Sequence, residues 1–259
     1  MVYLGAKTKL WDSLKPVILE HVEEATFYWE PFAGGMNCIT HVPNTLQRIA
    51  SDIDIFVIRL WQGLKRGWVP PYTICSREEY ARCRFINNEI ARGLLDPSSV
   101  EEHDLFLIAC WRYLASFSAR PYEGWNGLQA RDYYTELRNN LMKHFARSND
   151  LQSIYMLSGD YRSISNTLLT WYRFGLNKAR RGIIYCDIPY YQTKPYKNYE
   201  SFDHVSFWQW AREVRNMGHW LYISEYQVPE DFTCVWTKQH TIGMQTTGEK
   251  HVATECLYI

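Results

Sequence analysis

Apolar positions along the chain alternate between two periods. Over residues 9–22, Leu10, Trp11, Leu14, Val17, Ile18 and Val22 recur at helical spacing, and Pro16 inside that run is expected to kink or restart the helix. Residues 26–29 then read as a strand leading into Glu30-Pro31-Phe32-Ala33-Gly34-Gly35, where a glycine pair lets a ligand approach the backbone. A second strand around Arg48-Ile49-Ala50-Ser51 ends in Asp52 and Asp54, before a helix expected over residues 53–65. Residues 153–161 repeat the strand–turn–helix rhythm with Asp160 at the strand tip. Gly182-Ile183-Ile184-Tyr185-Cys186-Asp187 is a short apolar run of the kind buried on both faces of a parallel sheet. Its pairing should stop by Pro189, which has no N–H to donate. Phe207, Trp210, Ala211, Val214 and Met217 mark a further amphipathic helix, and residues 220–226 a further strand. Residues 234–237 and 253–259 alternate like a closing antiparallel pair.

Between the second and third strands the character changes. Gly67-Trp68-Val69-Pro70-Pro71-Tyr72 is a loop, Ser76-Arg77-Glu78-Glu79 opens a helix with a capping-box pattern, and helical segments follow near 101–117 and 131–147. The loop between those two carries aromatic rings, turn residues and one prominent cation, Arg120. The expected architecture is therefore α/β: a mostly parallel sheet domain from residues 1–60 and 148–259, with a mainly helical insertion over 61–147.

Composition narrows this picture. The 259 residues are 46% hydrophobic, enough for a core, and 16% aromatic, a supply of rings for packing or for stacking on bases. Formal net charge is zero, whereas strong duplex binders are usually basic. Local clusters remain, Lys178, Arg180 and Arg181 before the central strand and Lys194 and Lys197 after it, so a nucleic-acid partner would be held with modest, salt-sensitive affinity. Seven scattered cysteines without a C-x-x-C pair argue against structural zinc and against a disulfide framework. A reducing, cytoplasmic compartment is expected, with no signal peptide and no membrane span.

The acids at the strand tips carry the candidate chemistry. Open α/β sheets bind ligands at the carboxyl ends of their strands, where Asp187 and Tyr190 should stand, and an acid ending the second strand commonly takes ribose hydroxyls. Locally, Ser51 and Asp52 read equally well as caps of the following helix, and Asp160 as a cap of the next. Lys7 reads as a solvated lysine at a helix start.

Taken in order, these segments resemble the Dam-type DNA adenine-N6 methyltransferases, particularly their phage-encoded branch. Tyr3-Leu4-Gly5-Ala6-Lys7 is similar to the family's Y-x-G-x-K element, and Glu30 to Gly35 to its D/E-P-F-x-G-G loop. Asp52 matches the ribose-binding acid, Asp160-Tyr161 the pair flanking the cofactor adenine, and Asp187-Ile188-Pro189-Tyr190 the catalytic D-P-P-Y tetrapeptide. The resemblance implies a Rossmann-like methyltransferase sheet, a target-recognition insertion, S-adenosylmethionine as donor without a metal, and a flipped-out adenine of double-stranded DNA as acceptor. It implies cofactor contacts for Tyr3, Lys7, Glu30, Phe32, Ala33, Gly34, Gly35, Asp52, Asp160 and Tyr161, with Lys7 near the methionine carboxylate. Within the catalytic tetrapeptide Asp187, Ile188, Pro189 and Tyr190, Asp187 and the main-chain carbonyl of Ile188 would accept from the target amine and Tyr190 would stack on the base. Arg120, Lys194 and Lys197 are the expected DNA contacts. Two departures stand out: Ile188 replaces a proline of the general motif, and the 117–127 loop lacks the R-x-N-x-x-G-x-F-N pattern of the GATC-reading enzymes. N4-cytosine methylation would use the same polar trap, and a catalytically idle DNA- or cofactor-binding relative is the alternative outside enzymes. The target sequence, the oligomeric state and a companion endonuclease of a restriction–modification pair are not written in these residues.

Overall fold

The computed structural model describes residues 7–71, 75–116, 122–125, 135–136, 138–139, 141–143, 151–174, 181–191, 202–243 and 250–259. Tyr3, Arg120, Lys194 and Lys197 lie outside the described residues, as do Lys178 and Arg180.

Seven strands form one sheet in the order β3-β2-β1-β4-β5-β7-β6. They are β1 (Phe27–Glu30), β2 (Gln47–Asp52), β3 (Ile154–Ser158), β4 (Gly182–Asp187), β5 (Trp220–Ser224), β6 (Cys234–Gly243) and β7 (Lys250–Tyr258). The first five are parallel; β7 enters antiparallel between β5 and β6, the closing pair expected from the alternation. At the centre of the sheet, β1 and β4 are buried on both faces, and alternate residues go to opposite sides. From β1 and β4, Phe27, Trp29, Ile184 and Cys186 join one core with Phe207 and Trp210. Tyr28, Ile183 and Tyr185 join the other with Leu14, Ile18 and Trp61. Where β1 meets β4, Phe27 lies opposite Gly182, and a Cβ there would stand 2.2 Å from the Phe27 ring. Only glycine lets these two strands close up at that point.

Six helices are named here: α1 (Trp11–Ile18), α2 (Ile55–Lys65), α3 (Arg77–Ala91), α4 (Glu102–Leu114), α5 (Tyr161–Phe174) and α6 (His204–Asn216). The first is shorter than its periodicity predicted. It runs through Pro16 and stops two residues later, continuing as turns through Glu24. Proline withholds the N–H that would tie the second turn to the first, so the helix is not propagated. Ser76 caps α3 by accepting from the Glu79 N–H at 3.0 Å, as its capping-box pattern predicted. The cap of α2 is Asp54, not Ser51 or Asp52, because β2 extends through Asp52 and the helix starts at Ile55.

The helices between β2 and β3 share a core with one face of the sheet. Tyr80, Cys83, Leu105 and Trp111 pack in the same cluster as Trp61 and Leu64. A buried ion pair, Arg112 to Asp54 at 2.7 Å, ties α4 to the cap of α2. Arg181 lies before the first residue of β4, at the sheet edge opposite Asp187, where its guanidinium stacks 3.7 Å from the Trp220 ring centroid. It therefore does not share a face with whatever the strand tips bind, since the length of β4 separates them.

Candidate active site

Because β3, β2, β1 and β4 are adjacent and parallel, their carboxyl ends share one edge of the sheet. Asp160 follows β3, Asp52 ends β2, Glu30 ends β1 and Asp187 ends β4. Four acids scattered through the sequence thus line one rim, and the chain around each is shaped differently.

On β1 and β2 the carboxylates are held by main chain. Gly34, in the left-handed region at φ 43°, donates its N–H to Asp52 Oδ2 at 2.9 Å, and the Asp54 N–H reaches Oδ1 at 2.9 Å. The glycine loop is fixed further by Ala33 N–H to the Ser51 carbonyl at 2.9 Å and by Trp61 Nε1 to the Gly34 carbonyl at 3.1 Å. Burial, reinforced by Asp54, pushes the Asp52 carboxyl up to about 7, against the two N–H bonds and Arg112. Glu30 is also buried and accepts from the Tyr28 hydroxyl at 2.8 Å. Desolvation, opposed by that bond and aided by Asp187, pushes it up to about 8. Phe32 lies 5.3 Å from Tyr161 and 5.7 Å from Phe202, centroid to centroid, which gives this side an aromatic wall. Asp160 accepts from the Arg162 N–H at 3.0 Å and from its guanidinium at 3.0 Å, so it is a helix cap in its own right.

On β4 the polar groups grip one another. Lys7 is 6% exposed rather than solvated, and its ammonium donates to Asp187 Oδ1 at 2.7 Å. The same nitrogen is 3.5 Å from Glu255 Oε1 and 4.8 Å from the centroid of the Tyr190 ring. Burial acts to lower the Lys7 pKa, but Asp187 and Glu255 outweigh it and the net shift is upward, so Lys7 stays charged. The Tyr190 hydroxyl donates to Glu255, and the Tyr226 ring meets Tyr190 edge-on at 4.7 Å. Burial, Asp187 and Glu255 all raise the Tyr190 pKa, so the phenol keeps its proton. Among the described residues nothing donates to Asp187 Oδ2, and this half-exposed carboxylate therefore has one oxygen braced and one ready to accept.

Two buried acids here escaped the sequence reading. Glu255, 2% exposed, points inward from β7, and Glu225, 0% exposed, stands just beyond β5. The signal for Glu255 was an acid at an inward position of an alternating strand, two residues before the buried Leu257. Glu225 had the signal that singled out Asp52, Asp160 and Asp187, an acid closing an apolar run. The apolar pattern predicts a strand that includes residues 225 and 226, but pairing stops at Ser224. His204 was missed as well: it opens α6, and its Nε2 lies 3.0 Å from the Pro189 carbonyl.

Chemically, this edge offers a lysine-braced carboxylate beside an aromatic ring, flanked by acids able to bind hydroxyls or amines and by a glycine loop open to close approach. Among the described residues no group of His, Cys, Asp and Glu is arranged to hold a metal ion, and no helix is long and apolar enough to cross a membrane. No curated protein matches the chain. A family model described as D12 class N6 adenine-specific DNA methyltransferase matches residues 3–216.

Proposed function

Since the chain belongs to the D12 class of N6 adenine-specific DNA methyltransferases and so methylates adenine N6 in DNA, we propose that transfer takes place at the turn Asp187–Tyr190, on an adenine turned out of a double helix. The observation that carries this reading is the Lys7–Asp187 pair at 2.7 Å, with Asp187 Oδ2 left to accept. An exocyclic amine is a weak nucleophile because its lone pair is delocalised into the ring. Asp187 Oδ2 and the Ile188 carbonyl, accepting its two hydrogens, hold the nitrogen and turn the lone pair towards the methyl group. Lys7 holds the Asp187 carboxylate in one direction, since a buried ammonium has nowhere better to put its charge. Tyr190 offers a ring to the extruded base, offsetting part of the few kcal/mol spent on unstacking. Its hydroxyl is occupied by Glu255, so its role is stacking rather than proton transfer.

Methyltransferases of this kind generally use S-adenosylmethionine, which supplies a methyl group on a cationic sulfonium. The residues on the β1–β3 side fit such a ligand. Asp52 has a carboxylate for the ribose hydroxyls, the Phe32 and Tyr161 rings suit the adenine, and Glu30, poised near neutrality, faces the amino-acid end. The strand order, with β7 antiparallel between β5 and β6, supports a Rossmann-like methyltransferase sheet from residues 1–60 and 148–259, and the helical block 61–147 is read as the target-recognition insertion. Ile188 in the tetrapeptide favours the phage-encoded branch. With zero net charge the grip on duplex DNA is read as modest and salt-sensitive, resting on local cations among which are Arg120, Lys194 and Lys197.

The test is transfer of labelled methyl from S-adenosylmethionine to DNA, with the nucleosides identified by mass spectrometry. N6-methyladenine is expected, and Asp187→Ala should abolish it while the dissociation constant for S-adenosylmethionine changes by less than about threefold. Full activity in Asp187→Ala would defeat the proposal.

A further inference from the structure

Resting on that reading of the Asp187–Tyr190 turn, we propose that Glu225 and His204 are positioning residues, a clasp that sets the Ile188 carbonyl by holding the main chain that follows it. Three observations converge. Asp187 pairs with Ser224 across β4 and β5, so Glu225, one residue further, emerges beside the turn. Its fully buried carboxylate accepts the Tyr191 N–H at 2.9 Å through Oε2 and the Tyr226 N–H at 2.6 Å through Oε1. From the other side, His204 Nε2 donates to the Pro189 carbonyl at 3.0 Å and stands 3.5 Å from Glu225.

These contacts do for the turn what a proline does from within it. A proline at position 188 would fix φ there by its ring. Isoleucine has no ring to fix that dihedral, yet the carbonyl of this residue is the one that must face the target amine. The clasp restrains the next carbonyl and the N–H after that, which leaves the 188 carbonyl little freedom to swing. Its anchors are rigid: Glu225 is bound at the end of a central strand, and His204 is the first residue of α6, whose cap Asp203 accepts from the Ser206 N–H at 3.0 Å. The His204 ring is also wedged edge-on between Tyr191 at 5.2 Å and Phe202 at 4.8 Å. Charge-assisted bonds to main chain are the stronger kind, and a carboxylate with no solvent around it has every reason to keep them.

The experiment compares His204→Phe and Glu225→Gln in the wild-type background and combined with Ile188→Pro, measuring kcat, the KM for DNA and the dissociation constant for S-adenosylmethionine. His204→Phe keeps an aromatic ring at the surface-facing arm, so it reports even if Glu225→Gln does not fold. A misplacement of about 1 Å costs on the order of 100-fold in rate, so each variant is expected to lower kcat by about 10- to 100-fold, with KM and cofactor affinity changed less than about threefold. Adding Ile188→Pro should restore most of the loss in His204→Phe. An unchanged kcat in His204→Phe, or the same loss with and without Ile188→Pro, would overturn the clasp. If instead Asp187→Ala remains active, the turn is not the reaction centre and both readings fall; if Asp187→Ala is dead while His204→Phe is normal, only the clasp does.

Discussion

The two halves of the binding edge are built on different principles. Along β1, β2 and β3, carboxylates are held by backbone N–H groups, a tyrosine hydroxyl and a neighbouring arginine, and two of them are pushed towards neutrality by burial. Along β4, β5 and β7, a buried lysine, two acids and two tyrosines satisfy one another. The first half can alter its protonation to suit a ligand that arrives with its own charges. The second is locked by its own contacts before any ligand comes. That division suits a reaction in which the donor is bound and exchanged at every turnover, while the acceptor nitrogen must meet an unchanging trap.

Perturbing the locked half should cost most. Glu255→Ala removes one of the two acids that face the buried Lys7 among the described residues and the acceptor of the Tyr190 hydroxyl, and breaking a buried pair costs about 3–5 kcal/mol. Urea denaturation should register most of that loss, and methyl transfer should fall with it. A loss below about 1 kcal/mol would mean that the cluster is not locked.

The adaptable half should show itself in pH dependence. Glu30 carries a folded-state pKa raised from 4.5 to about 8, so the folded protein holds this proton more tightly than the unfolded chain does. Its contribution is fully present below pH 4.5 and is lost as pH rises through about 8. Stability should therefore decline across that window, at up to about 1.4 kcal/mol per pH unit for one proton. Asp52 adds to the decline between 3.8 and about 7. Denaturant titrations at several pH values should find a shallower decline in Glu30→Gln; an unaltered one would remove Glu30 as its source.

Asp52→Asn is the mildest probe. Its remaining carbonyl oxygen can keep one of the two N–H bonds, so the glycine loop is loosened and not released. S-adenosylmethionine affinity should drop about tenfold, near 1.4 kcal/mol, with little change in kcat. Calorimetric titration would measure it, and a fall in kcat without a change in affinity would place Asp52 in the wrong half.

How much of this was legible before the fold was known depended on whether the signal was local. Gly182–Asp187 announced itself as a strand because six residues carried an unbroken apolar run up to an acid. Asp52 and Asp187 were visible for the same reason, whereas Glu30 was singled out by the resemblance of its loop. The ends of α1 were not, because a single proline decided them against a persistent periodicity. Lys7 read as a solvated lysine, since its burial comes from Asp187 and Glu255, and neither is near it in sequence. Asp54 took the capping role that Ser51 and Asp52 were equally suited to, a matter of where one strand stopped. Glu225, Glu255 and His204 were hidden by distance: each acts on a segment that only the sheet order brings alongside.

Lys7 and Asp187 are 180 positions apart, and Glu255 comes later still, on a strand that must slide between β5 and β6. At about 5–20 residues per second of translation, the lysine waits many seconds for its second counter-ion. A chain without β7 would have to bury that ammonium without Glu255, so completion of the pocket is tied to a strand that is made about 70 residues after Asp187.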